Sequence, residues 1–227
     1  MKLTKNRYLN IKSLIKKFDF NEFELITNYG LFSGNTNLFK TLKIYQLISE
    51  VSHIKGDFIE LGIHRGNTSL LIKKILDIFK IKKKLFLLDH FKGLVNFTNN
   101  DTKISKKFKF KYRSKKNQVE TFINFFKFKN VKIINKDATT LKEGFFDKKQ
   151  KFCFVYLDMD LYDPTISALN SIHNHVSKGG YIIFDEGLKK DWSEGKAIKK
   201  FYNLNKKKYK IIKIDKFYQP DLMLKKL

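Results

Sequence analysis

Cysteine, proline, tryptophan and arginine are nearly missing from this 227-residue chain, and each scarcity excludes something. It has one cysteine, two prolines, one tryptophan and three arginines, Arg7, Arg65 and Arg113. A lone Cys153 can form no disulfide within the chain, as suits a reducing compartment, and its apolar neighbours mark it as an inert core thiol. No apolar run approaches the ~20 residues of a membrane span, and the N-terminus lacks the apolar stretch of a signal peptide. The expectation is a cytoplasmic protein with no membrane partner. The arginines are few although the charge is extreme: 47 basic residues against 22 acidic ones leave a net +25. Almost all of that excess is lysine, which lacks the bidentate fork favoured in phosphate and base recognition. Its even spread reads as compositional bias, so nucleic acid should be attracted weakly and without sequence preference.

What is present centres on Gly56-Asp57-Phe58-Ile59-Glu60-Leu61-Gly62-Ile63-His64-Arg65-Gly66-Asn67-Thr68-Ser69. Phe58 to Ile63 is an apolar run of strand length, and Leu71, Ile72, Ile75, Leu76 and Phe79 then recur at helical spacing. A strand, a glycine turn and a helix open a nucleotide-binding α/β unit, whose helix start can receive a ligand's negative end. The dinucleotide pattern G-x-G-x-x-G is absent, and Glu60 would repel a pyrophosphate. A ligand carrying an ammonium or sulfonium, such as S-adenosylmethionine, suits the site better. A tight turn without a ligand would need the same glycines.

The length suits one doubly wound domain, taken as residues 37–227 behind a helical or irregular extension over 1–36. Residues 1–20 read as a basic helix, and Gly30 and Gly34 interrupt 21–35. From Asn37 the spacing of Leu38, Leu42, Tyr45 and Ile48 predicts a helix to Val51. Lys84–Leu88 is a buried strand ending at Asp89, where α/β cofactor domains place a carboxylate for ribose hydroxyls; a cap on the next turn is the plainer alternative. Residues 93–116 read as a lid, a binding loop or disorder, and Phe108, Phe110 and Tyr112 alternate with lysine, as in a nucleic-acid surface or, the favoured reading, a short edge strand or mobile lid. Asn117 and Glu120 have capping-box spacing before a helix with Val119, Phe122, Ile123 and Phe126 inward. Val131–Ile134 is the third strand, followed by Asp137-Ala138.

Phe152–Leu157 is the fourth strand and delivers Asp158-Met159-Asp160-Leu161-Tyr162-Asp163-Pro164. Asp163-Pro164 has the form of a helix start, Thr165–Val176 the form of the helix, and Gly179-Gly180 its end. Tyr181–Phe184 leads to Asp185-Glu186. Carboxylates gathered at the carboxyl edge of a sheet repel one another unless a cation or proton joins them, which suggests a hard, oxygen-liganded Mg²⁺; loop caps or lysine pairs would also account for them. A short helix over Trp192–Phe201 and a hairpin of Tyr209–Ile214 with Leu222–Leu224 follow. His173 and His175 point apart on a helix and make a poor metal pair, and His53, His64 and His90 read as structural or solvent-facing.

Four of these blocks, in order, resemble the macrocin O-methyltransferase (TylF-type) family: the Gly56–Ser69 stretch, Asp89-His90-Phe91-Lys92-Gly93-Leu94, Leu157-Asp158-Met159-Asp160-Leu161-Tyr162, and Gly179-Gly180-Tyr181-Ile182-Ile183-Phe184-Asp185-Glu186. Trp192, Ala197 and Phe201 fit the family's tail, and the resemblance covers about residues 37–204. It implies a Rossmann-like class I methyltransferase fold, a mostly parallel seven-stranded sheet with an antiparallel edge hairpin and helices on both faces. It also implies an S-adenosylmethionine-dependent O-methyltransferase acting on a hydroxyl of a sugar, glycosylated small molecule or glycan precursor, with Mg²⁺. By match, Glu60, Gly62, Arg65, Gly66, Thr68 and Ser69 would hold the methionine end, Asp89 the ribose, and Asp137 and Ala138 the adenine. Asp158, Asp185 and Glu186 would bind the metal, and Asp160, by position, would accept the proton. The chain departs from the family's pattern at Glu186 for Asp, Met159 for Gly, His64 for Trp and His90 for Ser. Two other classes stay open: an RNA- or DNA-modifying methyltransferase and a non-catalytic cofactor-binding protein. The acceptor's identity and homo-oligomer formation are left open.

Overall fold

The computed structural model describes residues 38–95 and 97–227, with residues 12, 13, 16, 17 and 21 isolated ahead of them. The expected basic helix, the glycine-broken segment after it and the extension over 1–36 lie outside the described residues, apart from those isolated positions. Seven strands form one sheet: β1 (Asp57–Leu61), β2 (Leu85–Asp89), β3 (Val131–Asn135), β4 (Phe152–Leu157), β5 (Val176–Phe184), β6 (Tyr209–Lys213) and β7 (Leu222–Lys226). Their order is β3-β2-β1-β4-β5-β7-β6. Pairing is parallel from β3 through β5, and β7 runs antiparallel to both β5 and β6. The expected hairpin therefore forms, but β7 is inserted next to β5 and only β6 takes the edge.

Phe58, Ile59 and Leu61 of β1 and all of β4 are buried, as strands covered on both faces require. One apolar cluster joins Ile59, Leu61, Val155 and Leu157 to Leu169 and Ile172; the other joins Phe58, Phe154 and Ile183 to Ile44, Ile48, Ile72 and Leu76. The two clusters are the two helical layers. Cys153 lies in the second, fully buried, and burial pushes its thiol up to about 11, so it is an unreactive core group.

From Leu38 onward the helices are α1 (Leu38–Val51), α2 (Asn67–Ile78), α3 (Lys103–Lys106), α4 (Lys116–Phe125), α5 (Tyr162–Ile172) and α6 (Glu194–Asn205). Several depart from the sequence reading. The buried face of α1 is Lys40, Ile44, Leu47, Ile48 and Val51, while Leu38, Leu42 and Tyr45 are exposed. The expected capping box is absent: Lys115 is the cap of α4 and makes no side-chain cap bond, so Asn117 lies inside the helix. Val119 is buried and Ile123 packs on the core, but Phe122 and Phe126 face outward. Helix α5 starts earlier than Asp163, and its Tyr162 N–H is received by Asp101 Oδ1 at 3.0 Å, a cap from a distant loop. Gly179 and Gly180 do not end that helix; His173–His175 forms a 3-10 turn and both glycines belong to β5. Lastly, residues 108–112 form no strand, because Phe110 and Tyr112 have φ values of 63° and 59°.

Candidate active site

The carboxyl ends of β1 to β5 surround one cavity of 430 Å³, lined by Glu60, Gly62, Asp89, Asp137, Ala138, Asp158, Asp160, Asp185 and Glu186 among others. Open α/β sheets bind ligands at this edge, where strands stop and loops diverge. Gly62 shows why the first turn needs glycine. Its φ is 86°, and a Cβ there would stand 2.0 Å from the Asp158 carbonyl oxygen, so the ends of β1 and β4 could not approach as they do.

Glu60 is almost wholly buried and accepts a 2.5 Å hydrogen bond from Ser69 Oγ. Desolvation raises its pKa to about 8, with Ser69 and Lys40 opposing. A buried carboxyl so poised welcomes a cation. The sign for folding follows: with its folded pKa above the ordinary value, Glu60 contributes stability fully present below about 4.5 and lost as pH rises through about 8. Glu60→Gln should flatten that decline in the ligand-free protein; thermal melts across the window check it, and an unchanged slope would remove Glu60 as the cause.

Asp89 takes the turn-shaping role that was the plainer alternative for it. Its Oδ1 accepts the Phe91 N–H at 2.6 Å, shaping the next turn, and its Oδ2 accepts the His64 N–H at 2.8 Å, tying β2 to the glycine turn. Each oxygen keeps a second lone pair in a carboxylate, which can face a ligand in the cavity. Asp137 Oδ1 holds Thr139 through its N–H and hydroxyl, shaping the 3-10 turn that sets Ala138 in the wall. Arg65 and Thr68 also line the cavity, whereas Gly66 and Ser69 do not. Gly66 caps α2 in the left-handed conformation, and Ser69 acts through Glu60.

Behind the acidic edge lies a residue the sequence reading missed. Lys40 Nζ, buried on α1, bonds Asp185 Oδ1 at 2.7 Å, and the Tyr156 hydroxyl donates to the same oxygen. Burial works against the ammonium, but Asp185, with Asp158 and Glu60, outweighs it and holds the Lys40 pKa above its ordinary value. The available signal was spacing: positions 40, 44, 47, 48 and 51 make a continuous helical face with one lysine in it. Asp158 is forced well up by desolvation, then by Asp185 and Asp160. Glu194, fully buried and also overlooked, is pushed up by desolvation and by Asp160.

The expected metal triad is not assembled. Asp185 is committed to Lys40 and Tyr156, Glu186 Oε1 receives Gln219 Nε2, and burial with Asp185 and Asp160 nearby disfavours the charged form of Asp158. Among the described residues, no group of three His, Cys, Asp or Glu side chains is arranged to hold a metal ion. As arranged, these residues do not fit Mg²⁺; the Lys40 ammonium offsets the negative charge at Asp185 instead.

Comparison with known proteins agrees with this architecture. The chain is 24% identical over 151 residues to demethyldecarbamoylnovobiocin O-methyltransferase of Streptomyces niveus, covering 63% of this chain and 58% of that relative. It thus spans under two thirds of the length of that curated protein. Among solved structures, the calicheamicin methyltransferase CalS11 superposes with a TM-score of 0.80 at 16% identity, over 98% of this chain and 93% of that one. The O-methyltransferase NovP gives 0.68 at 19% identity, over 82% and 79%. At such identities these structures establish the fold, that of the class I methyltransferases. The profile of the Macrocin-O-methyltransferase (TylF) family matches residues 37–219, and the chain belongs to that family.

Proposed function

We propose that the protein transfers a methyl group from S-adenosylmethionine to a hydroxyl of a sugar or glycosylated small molecule. The observation that carries this reading is that five strand ends deliver Glu60, Asp89, Asp137, the Asp158–Asp160 pair and Asp185 to one cavity. Glu60 would receive the methionine ammonium, the N-terminus of α2 the carboxylate, Asp89 the ribose and Ala138 the adenine. Family membership and the names of the similar proteins, all O-methyltransferases or methyltransferases, support the reaction type.

The chemistry asks little beyond alignment. The acceptor oxygen attacks the methyl carbon as the carbon–sulfur bond breaks, and the sulfonium becomes a neutral thioether. The acceptor's proton must leave. Asp160, beside Asp158 in the cavity wall, is the base. The Mg²⁺ implied by family resemblance would have to displace Lys40 from Asp185 and Gln219 from Glu186, and no step here runs through it.

Calorimetry tests the cofactor site. S-adenosylmethionine should bind, and Asp89→Ala should weaken it by about 1.5–3 kcal/mol, the range for hydrogen bonds to a charged group. A wild-type protein that binds neither S-adenosylmethionine nor S-adenosylhomocysteine would overturn the reading.

A further inference from the structure

A second cavity, of 320 Å³, opens beside the first and shares His64, Arg65 and Tyr112 with it; Phe108, Lys111 and Arg113 complete its wall. Two of the chain's three arginines therefore meet at one place, in a protein that otherwise places lysine nearly everywhere. General charge excess would put lysines here. Arginine is the side chain whose planar fork pairs with phosphate oxygens two at a time.

The wall is built at a cost. Phe110 and Tyr112 are both left-handed, at φ 63° and 59°, an arrangement that strains bulky residues and persists only where the surroundings enforce it. Enforcement is visible on three sides. The Leu94 N–H donates to the Lys111 carbonyl at 2.9 Å, and the Phe110 N–H to the Leu94 carbonyl at 2.8 Å. Gly93 permits that pairing, since a Cβ there would stand 2.1 Å from the Lys111 oxygen. Ser114 Oγ donates to the His64 carbonyl at 2.7 Å, fastening the strap to the glycine turn of the cofactor site. Phe108 lies nearly parallel to Tyr112, with centroids 6.2 Å apart, and packs on Trp192 of the first cavity at 5.0 Å. The Arg113 guanidinium rests 4.8 Å from the Phe110 ring.

We propose that this second cavity is the anion subsite of the acceptor and receives a pyrophosphate group, as in a nucleoside diphosphate sugar, whose sugar then reaches into the first cavity. Arg65 and Arg113 supply forks for the phosphate oxygens, Lys111 adds a third positive charge, and the exposed Tyr112 ring offers a face on which a base stacks. The assignment rests on the proposed methyl transfer and narrows its acceptor to an anionic, phosphate-bearing one.

The experiment is a calorimetric titration of the protein, saturated with S-adenosylhomocysteine, with uridine, thymidine and guanosine diphosphates and with inorganic pyrophosphate. At least one of the diphosphates should bind. Arg113→Ala and Lys111→Ala should each weaken it about tenfold, the loss of one charge-assisted contact, without altering S-adenosylhomocysteine affinity. The double variant Lys148→Ala/Lys149→Ala, on the exposed loop before β4 at the opposite sheet edge, should change nothing. Pyrophosphate binding as tightly as the nucleotides supports the anion subsite with the phosphates alone recognised. No binding by any probe, or equal weakening by the distant lysine variant, overturns the subsite. Failure of S-adenosylhomocysteine to bind would instead strike the proposed reaction, and titration of the ligand-free protein then reads the subsite by itself.

Discussion

Asp160→Asn is expected to slow methyl transfer by about 10²–10⁴-fold, the usual contribution of a positioned proton acceptor. The substitution is a clean one. Asp160 sits at φ 60°, in the left-handed region that Asn tolerates better than any residue except glycine, so the backbone should hold. Its carbonyl also keeps the 3.0 Å bond from the Ser193 N–H, which needs no side chain. An amide of the same shape cannot accept the acceptor's proton. Cofactor affinity should stay within about twofold, since the cofactor is assigned to other strand ends. Labelled methyl passing from S-adenosylmethionine into a small-molecule extract measures the effect. A variant that transfers at the wild-type rate would remove Asp160 as the base.

Lys40→Met should lower the unfolding free energy by about 3–5 kcal/mol, because it leaves the buried Asp185 carboxylate without its ammonium partner. Methionine fills a similar volume, so a cavity does not explain the loss. Urea unfolding measures it, and Lys40→Met/Asp185→Asn separates the causes. Removing the carboxylate's charge should recover much of the stability if the stranded charge is responsible. A single variant that loses under about 1 kcal/mol would mean that Asp185 finds relief elsewhere, and the ammonium would lose its assigned role.

Why Lys40 escaped the sequence reading is instructive. Leucines at 38 and 42 outweigh a lysine under any rule that ranks apolar residues inside, yet both are exposed and the lysine is buried. Its burial depends on Asp185, 145 positions away, and no local pattern contains that partner. The same limit explains the start of α5. Asp163-Pro164 has the local form of a cap, but Asp101 occupies that role through space. By contrast, β1, β2, β4 and β5 were legible because strands covered on both faces are nearly all apolar, and their bordering acidic residues stand out. The carboxyl-edge position of Glu60, Asp89, Asp158 and Asp185 followed from strand ends alone. What each carboxylate does there followed only from its neighbours: Ser69 for Glu60, backbone N–H groups for Asp89, and Lys40 with Tyr156 for Asp185.

The place of β7 inside the sheet has a consequence for how the chain matures. As the ribosome extends it, β6 is complete before β7 but has nothing to pair with, since β7 is its neighbour in the sheet. Until Leu222–Lys226 emerges, β5 presents Tyr181–Phe184, an apolar row, along an unpaired margin. Such a margin recruits other chains, so the nascent protein passes through an adhesive interval that the finished one has closed. Removal of residues 222–227 should therefore trap the chain in that interval and yield aggregates that retain the β1 to β5 parallel core.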